Sequence, residues 1–453
     1  MWKVLVALLV LGVGAAALWV YAGRAEGPSI EIGGSEAIGQ TGEVAVKVTT
    51  PGGELTGLTV KLVQGETATS LFDLSSETTD GLTTAGDEIT VSRPAGKRAM
   101  PDLKAGEARV DVTAVRPVLF GLRQAAATAT RTIQVRLTPP QVAVLSQFHY
   151  VNHGGSEMVV YRVTPPDADS GVRVGDIEYR GFPAGGGDAA VRVAFFALLW
   201  DQDLNTPITV YARDSIGNEG SGSFDFRVFP KQFRKSTINL DDRFLARVVP
   251  PILQNSTELK VDDPSNFLAS YLAINRELRR MNNETITKLA LETSPEILWR
   301  GPFKQLINTA VEAGFADQRT YVYNGADVDH QVHLGFDLAS TANAPVRAAN
   351  RGRVVHAGWL GIYGNCVILD HGMGLQSLYA HLSSVGVGVG QIVETEAELG
   401  RSGATGLAGG DHLHFTMLLG GNAITPIDWW SSQWVQDRIL RKFADAGLTP
   451  PSP

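Results

Sequence analysis

From Val4 to Gly23 the chain carries no charged residue, with Lys3 before the run and Arg24 after it. About twenty apolar residues at ~1.5 Å rise per residue cover the ~30 Å hydrocarbon core of a bilayer. The run therefore predicts a membrane-crossing helix within residues 1–27. A cleaved signal peptide has a shorter apolar core, about 7–15 residues, and a small-x-small cleavage site. The length favours an uncleaved anchor; the Ala/Gly-rich end of the run keeps cleavage as the alternative. Trp19 and Tyr21 suit a membrane–water interface. Positive charge on both flanks specifies orientation weakly. Either route of export puts residues 25–453 outside the cytoplasm.

At 453 residues the chain exceeds one ordinary domain, and two to four are expected. Its 49 glycines and 22 prolines suggest many turns and a β-rich architecture. The single cysteine, Cys366, excludes an intrachain disulfide framework and CxxC zinc sites, and reads as a core residue. The net charge is −8, and residues 320–430 hold nine Asp/Glu against four Arg. With no basic stripe there, a nucleic-acid partner is not expected.

The stretches "EVAVKVTT", "LTVKLVQ", "EARVDVTAV" and "ATRTIQVRLT" alternate with period two between turn signals. They predict a β-sandwich module of immunoglobulin-like type over 28–137. A second β set with "VYARDSIGNEG" resembles the last hairpin of bacterial immunoglobulin-like modules and gives a second module over 138–230. Residues 231–300 read as a helical linker. Within it Phe267, Tyr271, Ile274, Leu278 and Met281 form one helical stripe. That stripe is read as packing against a neighbouring domain, with a short coiled-coil seam as the alternative. A β-rich, glycine-dense domain follows over 301–435, then a C-terminal tail over 436–453 made of a short helix and a Pro-rich end. The fold class is thus mainly β and multidomain.

Seven of the nine histidines lie between 330 and 414. His412 and His414 are two apart in a strand-like stretch, so they point to one face. His333 and Asp337 are four apart. On a straight strand they would stand ~13 Å apart, so both can reach one ion only if the chain bends at Gly335. Histidine and aspartate together suit zinc.

"HLGFD" at 333–337, "YAHLS" at 379–383 and "HLHF" at 412–415 resemble, in that order, the three signatures of the lysostaphin/LytM-type M23 metallopeptidases. The likeness covers about 320–430, roughly a quarter of the chain. No His-Glu-x-x-His is present, which sets the zincins aside. The D-Ala-D-Ala carboxypeptidase type spaces its first His and Asp more widely. The resemblance implies one Zn2+ held by His333, Asp337 and His414, with an open position for water. It implies His412 as general base and His381 as its partner, orienting water or stabilising the oxyanion; either imidazole suits proton transfer near neutral pH. Thr416 stands where many members have Glu, and is not a ligand position.

The resulting expectation is a zinc endopeptidase of peptidoglycan peptide cross-links, a D,D-endopeptidase in cell-wall remodelling. It would be anchored in the inner membrane of a cell envelope with its catalytic domain in the periplasm, or secreted if the anchor is cleaved. The alternative is a non-catalytic LytM-type activator of cell-wall amidases, or an envelope or division scaffold; loss of His333, Asp337 or His414 would mark it. An envelope or division protein partner for the upstream modules is a further expectation, as is occlusion of the groove by a helix over 264–282. His371 reads as closing a hairpin turn, His330 and His356 as peripheral, and Asp411 as shaping the strand entrance. His149 and His153 lie in the second β module with no evident partner.

Overall fold

The computed structural model describes residues 2–51, 54–76 and 81–449; the Pro-rich end over 450–453 lies outside the described residues. The chain divides into two compact units, residues 1–140 with 213–219, and residues 141–212 with 220–453.

The first unit opens with the helix Trp2–Ala22, none of whose residues is buried. At ~1.5 Å per residue it is ~31 Å long, which matches the apolar run. A four-stranded and a five-stranded sheet then enclose one core. Val44, Val46, Val48 and Val91 face Leu58, Val60, Val110, Val112 and Ile133 across it. Period-two alternation sends every second side chain inward, and full burial of a Val or Leu stabilises by ~1.5–3 kcal/mol. The longest element is a hairpin, Gly106–Val118 paired antiparallel with Arg123–Val135 in register from Gly106↔Val135 to Val118↔Arg123.

The second unit holds a further β module, a helical segment and the histidine-rich domain. The β module contains two four-stranded sheets. Residues from 151–212 and from 299–443 contribute to one hydrophobic core. Trp429 lies at its centre, 5.7 Å from Phe195 between ring centroids, and its indole N–H donates to Ser156 Oγ at 3.0 Å. The segment expected as a C-terminal tail is helical at Val435–Leu440 and Arg441–Asp445 and buries Ile439 and Phe443 in that core.

The helical segment runs Phe267–Ala273, Ile274–Leu278 and Arg279–Ala290, the middle part being a π-helical turn. Tyr271, Ile274 and Leu278 pack on Tyr321 and Ile362 of the histidine-rich domain. The stripe is therefore covered within the chain. Around the π turn, Asn275 Nδ2 and Arg276 Nε donate to Asp329, both at 2.8 Å. A second helix, Asp242–Asn255, lies within the segment read as a helical linker and runs through Pro250 and Pro251, residues that disfavour a helix interior. Its Asp241 N-cap, with Leu245, Val248, Val249 and Ile252 buried on one face, outweighs them.

The histidine-rich domain is built on one large antiparallel sheet with two three-stranded sheets beside it. Its central strands Asn365–Gly372, Leu375–Leu382 and Leu413–Leu419 are almost wholly buried, which is why they read as continuous apolar runs.

Candidate metal centre

His333 ends the strand Ala326–His333, and Asp337 lies in the next strand, Phe336–Ala339. The two strands belong to different sheets. The chain changes sheet at Leu334–Gly335, which supplies the bend the spacing required. What Gly335 provides is room, since a Cβ there would meet His414 Cε1 and Nε2 at 2.6 Å. Phe336–Ala339 pairs antiparallel with Leu413–Leu419, with Asp337 directly opposite His414.

This pairing brings three ligand atoms together. His333 Nε2 is 2.9 Å from Asp337 Oδ1 and 2.9 Å from His414 Nδ1, and His414 Nδ1 is 3.0 Å from the same Asp337 oxygen. Zinc ligands ~2.0–2.2 Å from a tetrahedral ion stand ~3.3 Å apart, so the cluster has the right size. The outer face of each ring fixes its tautomer. His333 Nδ1 donates to the Gly314 carbonyl at 3.0 Å. Thr416 Oγ donates to the Leu334 carbonyl at 2.9 Å, so it accepts from His414 Nε2 at 3.0 Å. Both inner nitrogens then present lone pairs, 2.9 Å apart and beside a carboxylate. Three converging acceptors with no proton between them call for a cation. A His2Asp set fits Zn2+ with a fourth position for water.

The electrostatics agree. Burial raises the Asp337 carboxyl, but the close approach of His333, His412 and His414 overcomes it and holds the group well below the usual carboxylate range. Arg319 Nη2 donates to the other Asp337 oxygen at 3.2 Å. Burial pushes the His414 imidazole down to about 4, against the opposing pull of Asp337. It is therefore a neutral ligand near pH 7.

His412 and His381 lie beside the cluster. His412 Nδ1 donates to the Gly410 carbonyl at 2.9 Å, which turns Nε2 inward, 3.4 Å from Asp337 Oδ1. Burial lowers the His412 pKa, but the hydrogen bond and charge of Asp337 raise it further, for a net upward shift. His381 Nδ1 donates to the Thr405 carbonyl at 2.8 Å. Its ring centroid is 4.9 Å from His412 and 5.7 Å from His414. Burial, then the charges of His412 and His414, push its pKa well below the ordinary histidine value. All five residues singled out by sequence thus line one cavity of about 530 Å³. Phe244, Tyr271 and Arg279 from the upstream helices line it too.

Arg319 and Thr416 were not anticipated as supports of the site. Arg319 precedes the histidine motif, and only the strand pairing that sets Asp317 opposite His333 brings it there. The other histidines have separate roles. His371 is wholly buried, with Nδ1 2.8 Å from the Arg351 carbonyl and Nε2 2.7 Å from Ser377 Oγ, at the end of the strand that enters a hairpin turn. His149 does have partners, Ser146 Oγ at 2.9 Å and the Asp225 carbonyl at 3.1 Å, and His153 reaches the Gln202 carbonyl at 3.1 Å. His330 is exposed beside Asp327. Asp411 accepts from Ser402 Oγ and the Asn343 amide, next to the entrance of the His412 strand.

A family model described as Peptidase family M23 matches residues 331–426. The chain is 36% identical over 97 residues to DD-carboxypeptidase/endopeptidase Mpg of Neisseria meningitidis, which is 21% of this chain and 22% of that protein. It is 34% identical over 95 residues to murein hydrolase activator EnvC of Escherichia coli, 21% of this chain and 23% of that protein. The chain thus spans less than a quarter of the length of these curated relatives. The solved catalytic domain of lysostaphin from Staphylococcus simulans aligns over 27% of this chain and 92% of that one, at 29% identity and a TM-score of 0.24.

Proposed function

Residues 331–426 are a domain of peptidase family M23, and from that premise we propose that the protein is a zinc endopeptidase cutting peptide cross-links of peptidoglycan. The observation that carries the proposal is the convergence of His333 Nε2, Asp337 Oδ1 and His414 Nδ1, with each outer ring nitrogen satisfied elsewhere. Zinc bound there supplies Lewis-acid polarisation of the scissile carbonyl and a lowered pKa for water. His412 is the general base: its Nδ1 proton is committed to Gly410, so Nε2 is free to take a proton from the attacking water. Its raised affinity for protons suits the taking of that proton. His381 stays neutral with Nδ1–H committed to Thr405, so its Nε2 is an acceptor that orients the attacking water.

The name of the Neisseria relative supports a D,D bond as the target. The name of the Escherichia coli relative belongs to the alternative, a non-catalytic activator. The intact ligand set argues against that alternative here. The apolar helix Trp2–Ala22 supports a membrane-anchored protein of the cell envelope. The cavity wall contributed by Phe244, Tyr271 and Arg279 supports a restrained site, opened when the helical segment moves.

The test is muropeptide digestion by the purified protein, with chelator, with added zinc, and with His414→Ala. Conversion of cross-linked dimers to monomers, abolished by chelator and by the variant, is the expected result. Zinc bound with no cleavage of any cross-linked substrate, even after the helical segment is released, would overturn the enzymatic reading.

A further inference from the structure

The turn of the long hairpin, Leu119-Phe120-Gly121-Leu122, is built unlike an ordinary turn. Tight hairpin turns with positive φ favour Asn and Gly. Here Leu119 and Phe120 take φ values of 53° and 55°, in the region that favours glycine. Phe120 is 103% exposed and Leu122 70%. Among the described residues of the module outside the apolar helix, the other large apolar side chains are buried or partly buried.

This turn lies against the end of the apolar helix. Leu18, Tyr21 and Ala22 of the helix and residues 116–121 of the hairpin line one cleft. The Arg123 guanidinium stacks over the Trp19 ring at 4.8 Å and donates to the Trp19 carbonyl. Arg116 Nε donates to the Glu26 carbonyl at 2.9 Å. Trp19 and Tyr21 are the aromatic residues of the helix that suit the headgroup level. The exposed Phe and Leu thus sit beside the end of a bilayer-length helix, and two arginines stand immediately behind them.

We propose that the 119–122 turn is a second membrane contact, inserting Phe120 and Leu122 into the interface of the bilayer that the Trp2–Ala22 helix crosses, with Arg116 and Arg123 facing lipid phosphates. The inference rests on the reading of that helix as membrane-embedded. Arrangement and charge support one occupant. Apolar side chains lead, guanidiniums follow at the depth where anionic phosphates lie, and the contact continues directly from the helix end. Two contacts would fix the tilt of the module on the membrane, where a lone helix and a short connection would leave it free to swing.

The test uses the full chain reconstituted in vesicles of phosphatidylethanolamine and phosphatidylglycerol. Single cysteines at Phe120→Cys, Trp19→Cys and Glu107→Cys carry an environment-sensitive fluorophore. Glu107 is at the opposite end of the same 13-residue strand, ~40 Å away. The native Cys366 is buried and its thiol pushed up by burial, so it stays unlabelled. The expected result is a blue-shifted emission at 120 and 19, quenched by brominated lipid and not by aqueous iodide, with position 107 in water. A label at 120 quenched by iodide while 19 is in lipid would overturn the turn contact and leave the anchor standing. Both positions in water would overturn the anchor and the turn contact together. Arg116 and Arg123 are tested separately: in Arg116→Gln/Arg123→Gln, carrying the label at 120, the shift should shrink in anionic vesicles. An unchanged shift would remove their phosphate role.

Discussion

Thr416 Oγ sits 3.0 Å from His414 Nε2 and 2.9 Å from the Leu334 carbonyl, and so decides which nitrogen of His414 carries the proton. The hydroxyl thus supports the ring from outside the cluster. Removing such a partner of a metal-ligating histidine commonly weakens metal affinity ~10–100-fold. Thr416→Val should therefore lose zinc to a chromophoric chelator at a free-metal level that wild type withstands, whereas Thr416→Ser should retain it. Equal retention by the valine variant would mean that the tautomer is set elsewhere.

Access to the site should depend on Asp329. Its carboxylate is buried and receives Asn275 and Arg276, tying the π-helical turn to the strand that ends at His333. Asp329→Ala leaves Asn275 Nδ2 without that partner and should cost ~1–3 kcal/mol of local stability. On the restrained-site reading, hydrolysis of intact cell wall should rise in this variant, with little change on a short soluble peptide. A parallel fall on both substrates would instead indicate that the helical segment is part of the working groove.

The C-terminal helix should be indispensable to the second unit. Lys442 Nζ donates to Glu157 Oε1 and to the Met158 carbonyl, both at 2.7 Å, with the two side chains 3% and 0% exposed. Burial lowers the Lys442 pKa, and Glu157 opposes the shift. Breaking a buried pair on one side costs about 3–5 kcal/mol, because the other charge is stranded. Lys442→Met should lower the denaturant midpoint accordingly, and Lys442→Met/Glu157→Gln should recover part of the loss. An unaltered midpoint in the single variant would show that water reaches the pair.

Asp428 should make the unit less stable at alkaline pH. Burial pushes its carboxyl up to about 6 from 3.8, although Asn152 Nδ2 donates to Oδ1 at 2.9 Å. A raised pKa in the folded state contributes fully below 3.8 and loses that contribution as pH rises through about 6. Roughly two pKa units correspond to about 3 kcal/mol. Asp428→Asn keeps the acceptor without the charge, so its Tm should exceed that of wild type at pH 8. The gap should close as pH falls towards 4. A pH-independent difference between the two proteins would show that Asp428 does not change protonation on unfolding.

Much of the site was legible in the chain itself. Histidines at 333, 381, 412 and 414 with Asp337 carried a signal because they stand in three short motifs that resemble those of M23 metallopeptidases, and the five side chains line one cavity. The strand pattern of 28–137 was equally plain, since a half-buried sheet imposes period two. The Asp242–Asn255 helix falls in the stretch read as helical, but its ends and the packing of its buried face with Tyr271 and Tyr321 were not legible, because they depend on the docking of neighbouring elements.

The order of the chain by itself determined an apolar span of bilayer length, a β-rich body and the chemistry of one metal-ligand set. Tertiary structure alone decided which oxygens and hydroxyls complete that set. Gly314, Thr405 and Gly410 act through backbone carbonyls, which every residue possesses, so no side-chain pattern announces them. Arg319 reaches Asp337 through strand pairing, and Phe244 and Tyr271 reach the cavity from helices about 60–90 residues upstream in sequence. Such contacts depend on register and docking, which are set when the sheets and helices close over a shared core.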